Sequence, residues 1–200
     1  MLSHDLDGES RLVDDVYTDD TGNGDPPIVD MGAYERQDDG LAPCIIYVDE
    51  RSRGPQNGIT WNTAYHSLQD ALDEAIAGCE IRIGQGVYTP DEGENVTRAD
   101  REASFHLKNG VVIDGGYAGV GAPDPNAKSH DYRAVLSGDI AASGPSRFIP
   151  GGSRDDNSLH VVVGDGTDSS AVLRNCEIVG GHANRIDRDW AGGGGLMNHQ

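Results

Sequence analysis

The shortness of its apolar runs restricts this chain more than any other feature. From Glu80 onward hydrophobic residues come in units of about three to five, and most units stop at a glycine or an Asn/Asp turn. Ile81 and Ile83 alternate with Arg82, Gly84 and Gly86 interrupt, and Val87-Tyr88 resumes. Phe105-His-Leu107, Val111-Val-Ile113, Ala134-Val-Leu136, His160–Val163, Ala171–Leu173 and Cys176–Val179 follow. Between them stand Asn109-Gly110, Gly115-Gly116, Gly138-Asp139, Gly164-Asp165-Gly166 and Gly180-Gly181. Alternation with period two marks strands. Units this short fall below the usual strand of about 5–6 residues and fit a sandwich poorly. They suit a solenoid, in which each short strand pairs with its counterpart in the coils above and below. Unit starts roughly 20–30 residues apart agree with that architecture. With 28 glycines and 9 prolines in 200 residues, the composition disfavours a helical bundle and suits an all-β protein with many tight turns.

One segment breaks the pattern. Leu68, Ala71, Leu72, Ala75 and Ile76 recur at helical spacing, which predicts an amphipathic helix over Ser67–Ala77. Ser67 is the expected N-cap, Asp70 a capping-box partner, and Gly78 the left-handed residue past the C-terminus. The first coil of a solenoid would expose apolar core and unpaired strand edges. A helix placed just before the first regular strand is expected to cover both.

Residues 1–40 are acidic and rich in turns, with Ile28–Glu35 as one short strand, and Gln37–Pro43 reads as a linker. The division expected is 1–40 and 41–200. A formal charge of −19 argues against partners with phosphate backbones or anionic lipid surfaces. No run approaches the ~18 apolar residues of a membrane span. The N-terminus lacks the basic and apolar regions of a secretory signal. The chain is therefore expected to stay inside the cell or to be a piece of something longer. The glycine-rich end, Gly192–Gln200, stops within what reads as a repeat and favours the second. Cys44, Cys79 and Cys176 lack the spacing of a zinc or redox motif. The plainest expectation is three buried thiols; a Cys44–Cys79 bridge is the alternative.

Several stretches together resemble a known family. Ile46-Tyr-Val-Asp49, Thr60-Trp-Asn-Thr-Ala64, Ser67-Leu-Gln-Asp-Ala-Leu72, Ala77-Gly-Cys-Glu-Ile-Arg-Ile83 and Gly86-Val-Tyr-Thr-Pro90 resemble the opening of bacterial right-handed parallel β-helix repeat proteins with the pectate-lyase-like fold. The similarity continues through Arg101–Phe105, Lys108–Val111, Gly115–Gly119, Leu136–Asp139, Ile178–Asn184 and Gly192–Gly195, and so covers about Cys44 to Gln200. Asp5-Leu-Asp-Gly8, Arg11 and Val29–Glu35 are similar to the closing segment of such a β-helix. The resemblance implies a right-handed parallel β-helix with a capping helix over residues 41–200, preceded by the end of another over 1–40. It also implies export and cell-surface display, as in polymorphic outer-membrane and adhesin-like proteins, with further coils on either side. It implies no single activity.

Chemistry is thinly marked. Asp5, Asp7, Gly8 and Asp14 imitate part of a calcium loop, but an EF-hand frame would need its first and twelfth ligands at Ser3 and Asp14. An Asx-rich turn is the simpler reading there; Asp19-Asp20 and Asp165 with Asp168 are the other calcium candidates, which an acidic, solvated surface explains equally well. Carbohydrate hydrolysis would need two carboxylates set apart, and elimination a base beside a cation. Asp114, Asp139, Arg174 and Glu177 are the outward-facing candidates, and no spacing brings them together. His4, His66, His106, His130, His160, His182 and His199 lack paired ligand spacing. Trp61, Trp190 and Tyr117 are candidate sugar-stacking rings, with packing of Trp61 beneath the helix as the competing reading. Gly192–Gly195 has no phosphate-loop frame, and Asn95-Val-Thr97 is a glycosylation acceptor that a bacterial chain leaves unmodified. Asp91–Glu102 is expected to project as a charged loop. No catalytic or cofactor-binding residue is assigned, and calcium is the one cofactor entertained. The expected function is an exported structural or adhesive module that meets a polysaccharide or another cell-surface ligand. A polysaccharide lyase or glycoside hydrolase is the alternative.

Overall fold

The computed structural model of the chain describes residues 44–140, 154–184 and 194–199. The expectations for residues 1–40, including the calcium candidates there and the boundary near residue 40, lie outside the described residues, as does Trp190.

Short alternating units become parallel strands. The first is β1 (Ile45–Val48), followed by the helix α1 (Leu68–Glu74). Next come β2 (Glu80–Gly84), β3 (Gly86–Tyr88) and β4 (Phe105–His106), then β5 (Val112–Tyr117), β6 (Ala134–Ser137) and β7 (Val162–Asp165). The last three are β8 (Val172–Arg174), β9 (Cys176–Val179) and β10 (Leu196–His199). They form three sheets, ordered β1-β2-β5-β8, β3-β6-β9 and β10-β7-β4, and every pairing between these strands is parallel. The chain therefore visits the three sheets in the same order on each of three passes. β10, in the glycine-rich stretch from which no strand was expected, completes the third pass.

In-register pairing stacks like on like. Ile46, Ile81, Ile113 and Leu173 are successive partners across the first sheet, and Tyr88, Leu136 and Ile178 across another. Ile81, Ile83, Tyr88, Phe105, Ile113 and Leu136 are each at most 1% exposed. Burying a side chain of this size contributes about 1.5–3 kcal/mol, so the columns are the main source of cohesion. Partner strands start at 80, 112 and 172 in one sheet and at 86, 134 and 176 in another, which corrects the shorter spacing expected from the unit starts. Loops between strands make up the difference.

The helix differs from expectation in detail. Ser67 caps it, its hydroxyl accepting from Gln69 N at 3.0 Å. Asp70 makes no capping box; its carboxylate accepts from Glu94 N, in the 91–102 loop, at 2.8 Å. The helix ends at Glu74, because Ala75 is already extended, and Gly78 takes its positive φ of 96° three residues later. Leu68, Ala71, Leu72 and Ala75 are buried as the stripe predicts, whereas Ile76 is 71% exposed. Lys108 Nζ replaces the absent glycine cap, donating to the carbonyls of Leu72 and Ala75. α1 packs against β1 and β4, each the outermost strand of its sheet.

The cysteines also depart from the plainest expectation. Cys44 and Cys79 are disulfide-bonded and Cys176 is free, so the three buried thiols are corrected to one bridge and one thiol. The bonded residues immediately precede β1 and β2, whose register begins at Ile45 opposite Glu80. Adjacent parallel strands hold their flanking residues close enough to bridge.

Candidate functional site: a polar corner beside Asp114

Between β5 and β6 the chain leaves the sheets and folds back on itself. Lys128 bridges antiparallel to Tyr117, and Ala118 N and Gly119 N donate to the carbonyls of Ala127 and Pro125. This loop brings Lys128–Arg133 over the turn where β8 gives way to β9. Gly116 and Asn175 make the local bends with positive φ, 81° and 55°. Asn and Gly are the residues that adopt this region with least strain.

Register sets the charges. Tyr47, Arg82, Asp114 and Arg174 are successive partners across the first sheet. Asp114 is 1% exposed. It accepts from Lys128 Nζ at 2.6 Å and Asn175 Nδ2 at 2.7 Å, and Arg174 lies at 2.9 Å. Burial pushes its carboxyl up, but the hydrogen bonds from Lys128, Asn175 and Arg174 outweigh burial and hold it below the usual carboxylate range. Glu80 joins the row through Arg82 at 3.1 Å and receives the Tyr117 hydroxyl at 3.4 Å. Lys128 Nζ lies 4.5 Å from the Tyr117 ring centroid, within cation–π range. Burial, chiefly, pushes the Tyr117 phenol up to about 12.

A pocket of about 470 Å³ opens beside this network, between the Lys128–Ala134 segment and Asn175–Glu177. Arg133 and Glu177 form an ion pair at its wall through both Nε (2.9 Å) and the terminal nitrogen. Cys176 lines it too, but burial and then the neighbouring Asp114 charge push its thiol up to about 12, so it is a poor nucleophile.

Of the four outward-facing candidates, the structure brings Asp114 and Arg174 into contact and places Glu177 at the same pocket. Asp139 stands elsewhere, after β6, where its amide donates to the Ser137 hydroxyl oxygen at 3.2 Å. Asp114 stands in the row of Arg82 and Arg174, next to the core residue Ile113, but Lys128, Asn175 and Arg174 cover it and leave it 1% exposed. Asp168 accepts from Ser170 N at 2.8 Å and from the Ser170 hydroxyl, and these bonds lower its carboxyl pKa. The Trp61 ring, 7% exposed, lies 4.7 Å from that of Tyr47 and 5.6 Å from that of Tyr117, and its Nε1 donates to Asn126. Neither Trp61 nor Tyr117 offers the open face that stacking on a sugar requires.

His66 and His182 contact the backbone carbonyls of Ser52 and Arg154. Among the described residues no group of three His, Cys, Asp or Glu is arranged to hold a metal ion. In the same residues no helix is long and apolar enough to cross a membrane. Lys128, Asn175 and Arg133 were absent from the sequence candidates, and only a known register could have found them. Comparison with protein-family models, curated proteins and solved structures finds no match to this chain.

Proposed function

We propose that residues from Cys44 onward are the opening of a right-handed parallel β-helix capped by α1, acting as a non-catalytic, surface-displayed scaffold of an exported bacterial protein. The repeated traverse of three parallel sheets carries this reading. Stacked passes are how a solenoid buries a core that no single pass contains. Connections that return a chain to the same sheet in parallel are right-handed in about 98% of cases. α1, lying on two outermost strands, is where a lid on the first pass belongs.

The Cys44–Cys79 bond supports export, since structural disulfides persist in oxidising compartments. Further coils of a longer chain are the natural neighbours of the last pass, and a polysaccharide or other cell-surface ligand is the partner such a scaffold meets. The enzyme alternative needs a base or a pair of carboxylates free to act. At the polar corner Asp114 and Glu177 are each tied to a cation.

The test is incubation of the oxidised protein with polygalacturonate, alginate and neutral polysaccharides. Ultraviolet absorbance of unsaturated ends and the release of reducing ends are followed. Neither signal rises on this reading, and a rise in either replaces the scaffold with the enzyme.

A further inference from the structure

We propose that the pocket beneath the Lys128–Arg133 loop binds a neutral sugar unit of a glycan, and that this is the adhesive contact of the scaffold proposed above, on which the inference rests. Its volume of about 470 Å³ falls in the range of small-ligand sites and accommodates one or two hexose units.

Charge decides against an anionic ligand. Lys128 and Arg174 share the single charge of Asp114, and Arg133 is matched by Glu177, which leaves an excess of only one positive charge to attract an anion. The chain around it carries a formal charge of −19, which repels acidic polymers. A ligand that is polar but uncharged meets neither obstacle.

The lining suits hydroxyl groups in particular. A sugar hydroxyl donates and accepts at once, so it is recognised best where a donor and an acceptor stand side by side. The Arg133–Glu177 pair supplies that arrangement, with guanidinium hydrogens and carboxylate lone pairs beyond those the pair consumes. Lys128 uses one of its three hydrogens on Asp114. Tyr132 and His130, both able to hydrogen-bond, also line the pocket. Because the ion pairs already fix the long side chains, binding loses little further rotamer freedom there.

The test is calorimetric titration of the disulfide-intact protein with lactose, maltose, cellobiose and diacetylchitobiose, and separately with polygalacturonate, at low and high salt. At least one neutral disaccharide should bind, with affinity indifferent to salt. The double variant Arg133→Ala/Glu177→Ala removes the pair without stranding a charge. It should bind at least about tenfold more weakly, as expected when paired polar contacts are lost, and melt like the parent. Tyr132→Ala is the second variant should the first misfold, with weakening expected again. No binding by any of the four, full binding by the variants, or tighter and salt-sensitive binding of polygalacturonate would each overturn the inference. Failure here leaves the scaffold standing, whereas cleavage of a polymer in the preceding assay removes the scaffold itself.

Discussion

Asp49 has no exposed surface, yet it carries a charge at the end of β1, and its surroundings supply what such a group needs. It accepts from Arg51 N (2.9 Å), Arg51 Nε (3.0 Å), Arg51 Nη2 (2.8 Å) and Val120 N (2.7 Å). A buried carboxylate is tolerated only when its lone pairs are filled in this way. The arrangement requires glycine at 119, where φ is +70° and a Cβ would strike the Asp49 carboxylate. Gly119→Ala should therefore lower the unfolding free energy by about 2–4 kcal/mol, from steric overlap and positive-φ strain. Urea denaturation reads the loss, and a change within about 0.5 kcal/mol, as at an ordinary surface site, would show that the clip is unimportant.

Asp114 predicts a pH dependence. Its carboxyl is depressed in the folded state, so its contribution to stability is whole above the ordinary carboxylate value near 4 and fades as pH falls through its own lower value. Wild type should thus lose stability more steeply than Asp114→Asn as pH falls below about 4; parallel curves would contradict the ion-pair assignment. Neither site was legible in the sequence. Asp114 was noticed, but its partners Lys128 and Asn175 lie 14 and 61 residues away, and Val120 lies 71 from Asp49. Hydrogen bonds of that reach follow from register and loop path, which local spacing does not encode.

At the scale of elements, local signals carried more. β2, β3, β6 and β9 fall on the units that alternation picks out, because a buried column selects apolar residues at every second position whatever the loops do. β10 was missed because Leu196–His199 follows four glycines and contains one short apolar pair. For α1 the start was readable and the end was not. Ser67 caps within three residues, whereas the terminus is set by Lys108 reaching back from beyond β4. Three substitutions separate these parts. Ser67→Ala should cost about 1 kcal/mol, the usual value of an N-cap. Leu72→Asp puts a charge on the face held against β1 and β4 and should cost about 3 kcal/mol or more. Ile76→Asp, at an exposed position, should change stability by less than about 0.5 kcal/mol. Thermal melts of the three rank them directly, and equal effects at 72 and 76 would mean that the helix does not pack as described.

For the whole molecule, the bridge ahead of β1 and β2 links the earliest described strand to the repeating passes. Cys44 and Cys79 close a loop of about 35 residues, which in the chain-entropy account contributes about 3–4 kcal/mol by restricting the unfolded chain. The sequence offered the pairing only as an alternative, because three cysteines without a motif do not reveal which strands are neighbours. Two measurements follow. Denatured but unreduced protein should titrate one thiol per chain, and reduced protein three. In the native state the remaining thiol, Cys176, should react slowly with iodoacetamide at neutral pH, since burial holds its thiolate population far below that of an exposed cysteine. Reduction should then lower the urea midpoint, and Cys44→Ser/Cys79→Ser should reproduce the drop without reductant. If reduction leaves the midpoint in place, β1 is held by its register, by α1 and by the Asp49 clip alone. The disulfide would then stand only as a mark of the compartment in which the chain folds.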